Sequence, residues 1–411
     1  MKKVYFILGG FPVVSQSFIY NQITEVIKNK DLEVRILVLN KKKGKVHPEY
    51  DHLNRLVEYL PSGREKGLLS KLTLILKSFL FLAFSNPLLL LRSINFMKYG
   101  RDAANGHYLI RAAQFSRLQP DLYHCHFGTT GRLIADLKDM AAVKCRMITS
   151  FHGKDITVYP QQFGKNYYSR LFSTADMFTA NSRFIMGKMQ ENGCPASRIV
   201  KIPMCLDMGK FAFRAAPPRG NTFKILTVGR LVEKKGYPFS LAAAALLKAA
   251  GVNFVYNIIG DGPLMDDMVK RSRELGIADR VVFHGAMMQD RVKEFYRDSH
   301  VFMLPSVTAP NGDTEGQGLV LQEAQAIGLP VLATLHNGFP DSIMDGRTGF
   351  LVPEKDAPAL FEKLRQLADD EHLCHTMGRL GRQFVEKNFD AQQTGKQLIG
   401  LYDQLIGRST D

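Results

Sequence analysis

Short apolar runs alternate along this chain with longer stretches of helical spacing. In the first half, VYFIL (4–8), VRILVL (34–39), DLYHCH (121–126), RMITSF (146–151) and MFTA (177–180) are short and apolar, and they predict buried strands. FRAAPPRG at 213–220, with Pro217 and Pro218, is a linker signal. The pattern then starts afresh. FKILTVG (223–229), NFVYNIIG (253–260), RVVFHG (280–285), HVFMLP (300–305) and LPVLAT (329–334) predict strands, with helices over 237–250, 264–275 and 319–327 between them. Apolar strands that alternate with helices imply parallel sheets covered on both faces. The expected fold is α/β: two Rossmann-like, doubly wound domains facing across a cleft, with ligands at the carboxyl ends of the strands. The expected division is 1–210, 211–390 and a helix over 391–411 that returns to the first domain.

Composition adds exclusions. With 411 residues, 45% hydrophobic and 23% charged, the chain is neither collagen-like nor disordered. Its five cysteines (Cys125, Cys145, Cys194, Cys205 and Cys374) form no CxxC pair, which fits reduced thiols better than a disulfide framework or a structural zinc site. MKKVYFILGG has a short apolar run without a cleavage site after it and predicts a first strand, not a signal peptide.

Charge is uneven. Residues 1–210 hold 31 Lys and Arg against 15 Asp and Glu, and residues 211–411 hold 23 against 24. A basic half beside a neutral one points to a polyanionic partner, either nucleic acid or an anionic membrane. Lys41, Lys42, Lys43 and Lys45 supply part of the excess, although such a run also suits a solvated loop. The segment LLSKLTLILKSFLFLAF (68–84) and the LLLLRSINFMKYGR beyond it shift the balance towards membrane. Only fourteen uncharged residues separate Lys77 from Arg92, and Pro87 interrupts them, so a bilayer-crossing helix, which needs about twenty, is not expected. A broad apolar face bordered by Lys71 and Lys77 describes a helix in the membrane interface; the alternative is a helix packed on the core. No arginine-rich helix or RNP-like aromatic pattern supports nucleic acid.

The chemistry concentrates in the second half. Neither opening strand is followed by GxGxxG; Gly9-Gly10-Phe11 follows the first and Gly229-Arg230-Leu231 the other, so NAD and FAD are not expected. In GRLVEKKG, Arg230 and Lys235 flank a strand-to-helix turn and suit a diphosphate, or are ordinary solvated cations. In EGQGLVLQE, Glu315 falls before a helix and Glu323 inside it, placed for two hydroxyl-bearing parts of one extended ligand or simply at the surface. His124 and His126 share one strand face, as a metal pair or as packing.

The ordered set FPVVSQSFIYNQI (11–23), FHGKD (151–155), ANS (180–182), VGRLVEKKG (228–236), IIGDGPL (258–264), VVFHG (281–285) and EGQGLVLQEAQAIGLPV (315–331) covers nearly the whole chain. It resembles the retaining glycosyltransferases of family 4, which have the GT-B fold and use nucleotide-activated sugars. FPxxSxxF, HFG (126–128), LPSVTAPNGD and TLHNGFPD are similar to the colanic-acid and amylovoran-type enzymes of bacterial exopolysaccharide assembly. The resemblance implies Arg230 and Lys235 as the diphosphate clamp, Glu315 on the donor-sugar hydroxyls, and Glu323 on the ribose. It places main chain of Gly316, Gln317, Gly318 and Leu319 behind the phosphate. Gly285, Ala286 and Met287 would read the base, and Gly260 and Gly262 would border the nucleotide, with Gly10 and Gly229 as further donor contacts. His152 would reach across the cleft towards sugar and phosphate.

Two departures stand out. Ser15-Gln16-Ser17-Phe18 replaces the family's Ser-Glu-Thr-Phe, and Gln317 stands where an apolar residue is common, which puts donor-sugar contacts in doubt. Asp313-Thr314-Glu315 is superficially like a metal-binding DxD, but with two cations on the diphosphate no obligatory metal is expected. The resemblance implies transfer of a hexose with retention, from UDP-sugar in preference to GDP-sugar, to a polyprenyl-diphosphate-linked oligosaccharide at the inner face of the cytoplasmic membrane. Lys41, Lys42, Lys43, Lys71 and Lys77 would meet the membrane or acceptor. The rival readings are a nucleotide-sugar 2-epimerase of the same fold, a glycoside phosphorylase and a non-enzymatic basic protein that binds polyanions.

Overall fold

The computed structural model describes residues 1–13, 16–42, 48–61, 67–214, 217 and 220–407. Lys43, Lys45, Ser15 and Pro218 lie outside them. The chain forms two compact units. One comprises Met1–Asn181, Met186–Ile202 and Gly395–Asp411; the other comprises Ser182–Ile185 and Pro203–Thr394.

The first unit holds seven parallel strands: β1 (Lys2–Leu8), β2 (Leu32–Val38), β3 (Val57–Tyr59), β4 (Leu122–His126), β5 (Arg146–Phe151), β6 (Met177–Ala180) and β7 (Ile199–Lys201). Their order is β3-β2-β1-β4-β5-β6-β7. The second holds β8 (Phe223–Val228), β9 (Phe254–Ile259), β10 (Val281–Phe283), β11 (Val301–Leu304), β12 (Val331–Thr334) and β13 (Gly349–Val352), ordered β10-β9-β8-β11-β12-β13. Both sheets therefore reverse direction once, between β1 and β4 and between β8 and β11, the crevices where doubly wound sheets hold ligands. In the second sheet Ile225, Tyr256 and Met303 face one core, while Leu226, Phe302 and Leu304 face the other. Burial on both faces is why these strands read as continuous apolar runs.

Strands β3, β7 and β13 were not expected from sequence. They are three or four residues long and lie at sheet edges, too short for an alternating or apolar pattern to mark them off from the adjoining loops. The first unit also ends earlier than 210, at Ile202. Beyond Pro203, Leu206 and Phe211 pack into the second unit's core, and Leu206 N–H donates to Phe389 O at 2.9 Å.

The helix Gly67–Ser85 is unusual in its polarity. Its buried positions are Ser78 and Leu82, and Lys71 on the same side is half-buried. That side packs against the helix His107–Phe115. Ile75 fills the space beside Gly106, and the Arg117 guanidinium sits 3.6 Å from the Phe81 ring centre. Leu68, Leu69, Leu72, Leu76, Phe79, Leu80 and Phe84 are exposed, Phe84 at 89%, and Leu88, Leu91, Phe96 and Met97 extend the patch. The packed side combines Ser78 with Leu82 and part-buried Leu74, Ile75 and Phe81, with Lys71 half-buried beside them; Lys77 is exposed. By length and composition alone this 19-residue helix is long and apolar enough to cross a membrane. The expectation of a shorter run counted from Lys77, inside the helix, across Pro87, where a second helix starts.

The last helix, Ala391–Ile406, contributes Gly395 onward to the first unit. Tyr402 Oη lies 2.6 Å from His124 Nδ1, and Lys2 Nζ lies 2.8 Å from Asp403 Oδ1. Because His124 is fully buried, Tyr402→Phe strands a ring nitrogen without a partner. The expected cost is about 1–3 kcal/mol in the first unit's urea transition, followed by far-UV circular dichroism; an unshifted transition would show that this contact contributes nothing.

Candidate active site

The candidate donor site lies in the second unit, at the carboxyl ends of β8 to β13. Strand β8 ends at Val228, and the amide of Gly229 after it donates to Ile259 O at 2.9 Å. A Cβ there would stand 3.2 Å from Lys235 Cε, so the lysine stem runs alongside the missing side chain. Gly260 and Gly262 have a packing reason of the same kind: Cβ atoms would meet Gly229 O at 2.0 Å and Leu231 O at 2.4 Å. Their position beside the GRL turn thus follows from close backbone approach. Gly260 N–H donates to Gly285 O, which links the ends of β8, β9 and β10; Ala286 and Met287 follow at that edge. Arg230 is exposed and without an ion-pair partner among the described residues.

Glu315 lies in the long loop between β11 and the helix Leu319–Ile327, and each of its oxygens meets an ammonium. Lys234 Nζ is 3.2 Å from Oε1 and Lys235 Nζ 3.2 Å from Oε2. Lys234 also reaches Asp313 Oδ1 at 3.3 Å. Burial alone would raise the Glu315 pKa, but the two lysines outweigh it and hold the carboxyl at about 2. Glu323 sits in the second turn of the helix, where it accepts from Tyr296 Oη at 3.1 Å. Here burial wins over Tyr296, Lys293 and Lys235, and the carboxyl rises to about 7.

Gln317 corrects an expectation. Its side chain is fully buried and its amide is taken up by main chain: Oε1 accepts from Met204 N–H at 2.8 Å and Nε2 donates to Met204 O at 2.9 Å. The amide is used in anchoring the start of this unit, which accounts for a polar residue at a normally apolar position. Gly318, at φ 72°, caps the helix, and a Cβ there would meet Phe339 at 2.7 Å; Gly316 and Leu319 flank it.

Sequence reasoning missed Lys234, although the motif displays two adjacent lysines. It also missed His336, which was visible in TLHNGFPD but without an assigned partner. His336 is fully buried, with Nε2 2.9 Å from Thr314 Oγ1 and 3.2 Å from the Glu315 amide nitrogen, and Nδ1 on Glu354.

The remaining predicted residues belong to the first unit. A Cβ on Gly10 would stand 3.0 Å from the Lys42 stem, and Lys41 Nζ is 5.3 Å from the Tyr59 ring centre. His126 Nδ1 lies 3.1 Å from His152 Nε2, and the rings of His124 and His126 stack at 4.5 Å. Burial holds all three imidazoles neutral, His124 and His152 down to about 3 and His126 well below its usual value. His124 is bonded through both nitrogens, to Tyr402 and Ser150, and so packs; His152 Nδ1 and His126 Nε2 are buried without a partner.

Comparison with known proteins agrees with this architecture. A family model described as glycosyl transferases group 1 matches residues 210–384, and one described as glycosyltransferase family 4 matches residues 87–210. The colanic acid biosynthesis glycosyltransferase WcaL of Escherichia coli is 32% identical, over 98% of this chain and 100% of its own. The amylovoran biosynthesis glycosyltransferase AmsK of Erwinia amylovora is 31% identical over 98% and 100%. Among solved structures, HepE of Anabaena in complex with UDP superposes with a TM-score of 0.72 at 17% identity, covering 98% of this chain and 100% of that one. The chain belongs to the family 4 glycosyltransferases and has their GT-B fold.

Proposed function

We propose that the chain moves a hexose from a nucleotide-diphosphate sugar, UDP-sugar in preference to GDP-sugar, to a polyprenyl-diphosphate-linked oligosaccharide in bacterial exopolysaccharide synthesis. The observation that carries the donor part is Glu315 held between Lys234 and Lys235 at the switch point of the second sheet. The pathway reading rests on full-length relatives named for colanic acid and amylovoran synthesis, and UDP on the neighbour solved with it.

The chemistry follows from charge. The bond between the anomeric carbon and the diphosphate oxygen breaks with its electron pair going to that oxygen. Arg230, the remaining donors of the Lys235 ammonium and the first-turn amides of Leu319–Ile327 neutralise the leaving group. The acceptor hydroxyl attacks from the same face and gives its proton to the departing oxygen, so the configuration is retained without a protein nucleophile. Glu315, ionised and fixed, accepts from sugar hydroxyls; Glu323 accepts from the ribose. Metal independence is favoured by Asp313 and Glu315 converging on Lys234 Nζ, where a DxD pair would set a divalent cation.

The apolar face of Gly67–Ser85 and the helix after it, in the basic half of the chain, would lie in the interface of an anionic inner membrane. Lys77 sits beside that face. With its inner side packed on the domain, the helix would lie along the surface and not span it.

Three outcomes follow. Glu315→Ala or Lys235→Ala abolishes acceptor-dependent release of nucleotide diphosphate while the circular dichroism spectrum is kept; near-normal turnover in either sinks the assignment, and release without acceptor would favour an epimerase or hydrolase. Because Glu323 must lose a proton near pH 7 to accept both ribose hydroxyls, nucleotide binding strengthens as pH rises through about 7. At pH 6.5, titration calorimetry in buffers of different ionisation enthalpy should report proton release that Glu323→Gln removes. Finally, Leu72→Glu with Phe84→Glu prevents flotation with phosphatidylglycerol-rich vesicles, and Lys77→Glu weakens it about tenfold; unchanged flotation would argue against the membrane face.

A further inference from the structure

Glu315 is held from behind as well as in front. Three segments at the carboxyl ends of β11, β12 and β13 meet at one buried imidazole. His336 follows β12, Thr314 and Glu315 end the loop from β11, and Glu354 follows β13. His336 Nδ1 bonds Glu354 Oε1, while the other oxygen of Glu354 accepts from Thr308 N–H at 3.0 Å. The Glu354–His336 pair therefore fastens the loop at both ends, Thr308 and Glu315.

The tautomer follows from partners that cannot rotate. A backbone amide is always a donor, so the Glu315 N–H, 3.2 Å away, requires Nε2 to accept. A carboxylate only accepts, so Nδ1 must carry the hydrogen. The rotatable groups agree: Thr314 Oγ1 lies at 2.9 Å and Asn337 Nδ2 at 2.9 Å from Nε2, and Asn337 Nδ2 also donates to Glu315 O at 3.2 Å. Nε2 is thus the acceptor towards which the fixed Glu315 N–H points, and Asn337 Nδ2 also donates to Thr314 Oγ1.

We propose that His336, as the neutral Nδ1–H tautomer, is the positioning residue for Glu315, and that its protonation releases the loop that presents the Glu315 carboxylate to the donor sugar. The role given to the carboxylate rests on the reading above; the lock itself does not. A proton on Nε2 would set N–H against the Glu315 N–H, and the amide must then move away, carrying with it a carboxylate aligned on Lys234 and Lys235. The charged groups facing the ring are Glu354, Glu315 and Lys234. Burial, helped by Lys234, lowers the His336 pKa below its usual 6.5, while Glu354 and Glu315 oppose the shift. Because the folded value is lowered, the lock is complete above pH 6.5 and is lost as pH falls through the folded pKa.

The test uses the full chain without ligand, with 15N in the histidine rings and glutamate amides. In the wild type, the His336 ring should show the Nδ1–H tautomer, and the Glu315 amide signal should shift on acidification with the midpoint of the His336 ring. His336→Gln restores an acceptor, so it should keep the Glu315 amide protected while abolishing the shift. His336→Ala should speed exchange of that amide at least tenfold. Unchanged exchange in the alanine variant, or a Glu315 amide that ignores the His336 titration, overturns the proposal. Both variants are first matched to wild type in thermal midpoint. If the alanine variant is unfolded, the wild-type titration and the glutamine variant decide. Failure of any nucleotide to bind wild-type protein would instead count against the function assigned to Glu315, because no ligand enters this measurement.

Discussion

A carboxylate buried at the carboxyl end of a sheet is tolerable only if cations reach it, and the second unit of this enzyme is arranged around that requirement. Glu315 has one ammonium for each oxygen. Lys235 gets there by running past Gly229, where a side chain would obstruct it, and the GRL turn stays in place because Gly260 and Gly262 allow backbone to touch backbone. The glycines of IIGDGPL thus act on Glu315 at one remove. From the opposite side, His336 and Glu354 fix the peptide on which the carboxylate is carried. Neighbouring Glu323 has no such ion pair among the described residues, and burial lifts its carboxyl to about 7, so two glutamates of one motif are shifted in opposite directions.

Much of this was legible in the sequence. Central strands could be read because both of their faces are buried, as Ile225 with Leu226 and Met303 with Leu304 illustrate. The edge strand Val57–Tyr59 could not, since a partner's hydrogen bonds define it, whereas the equally short edge strand Val281–Phe283 was betrayed by its valines. The motifs located Glu315, Lys235 and the glycines, but motif position does not reveal which way a side chain turns. Gln317 lies inside the motif and faces Met204, 113 residues away in sequence. His336 lies outside it and touches the Glu315 amide. Contacts that connect successive strand ends are tertiary, and local spacing contains no record of them.

The first unit shows the same limit in another form. The spacing over 68–84 showed a broad apolar face bordered by Lys71 and Lys77, but not which residues of that face the domain would cover. The domain takes Leu82 and Ser78, with Lys71 half-buried, and leaves most of the leucines and phenylalanines outside. An exposed apolar patch of that extent is uncommon on a monomer. Such a helix gains little from the protein interior, so its environment outside must supply the rest.

The closure of the first sheet by Tyr402 bears on how the molecule is made. A ribosome delivers β4 and its histidines more than 270 residues before the hydroxyl that pairs with His124. During that interval the second unit, Pro203–Thr394, is synthesised whole, while the first has its seven strands but lacks the helix segment that completes it. Vectorial synthesis therefore favours the second unit finishing first, although it is encoded second, because the first unit is incomplete until Gly395 onward has been made.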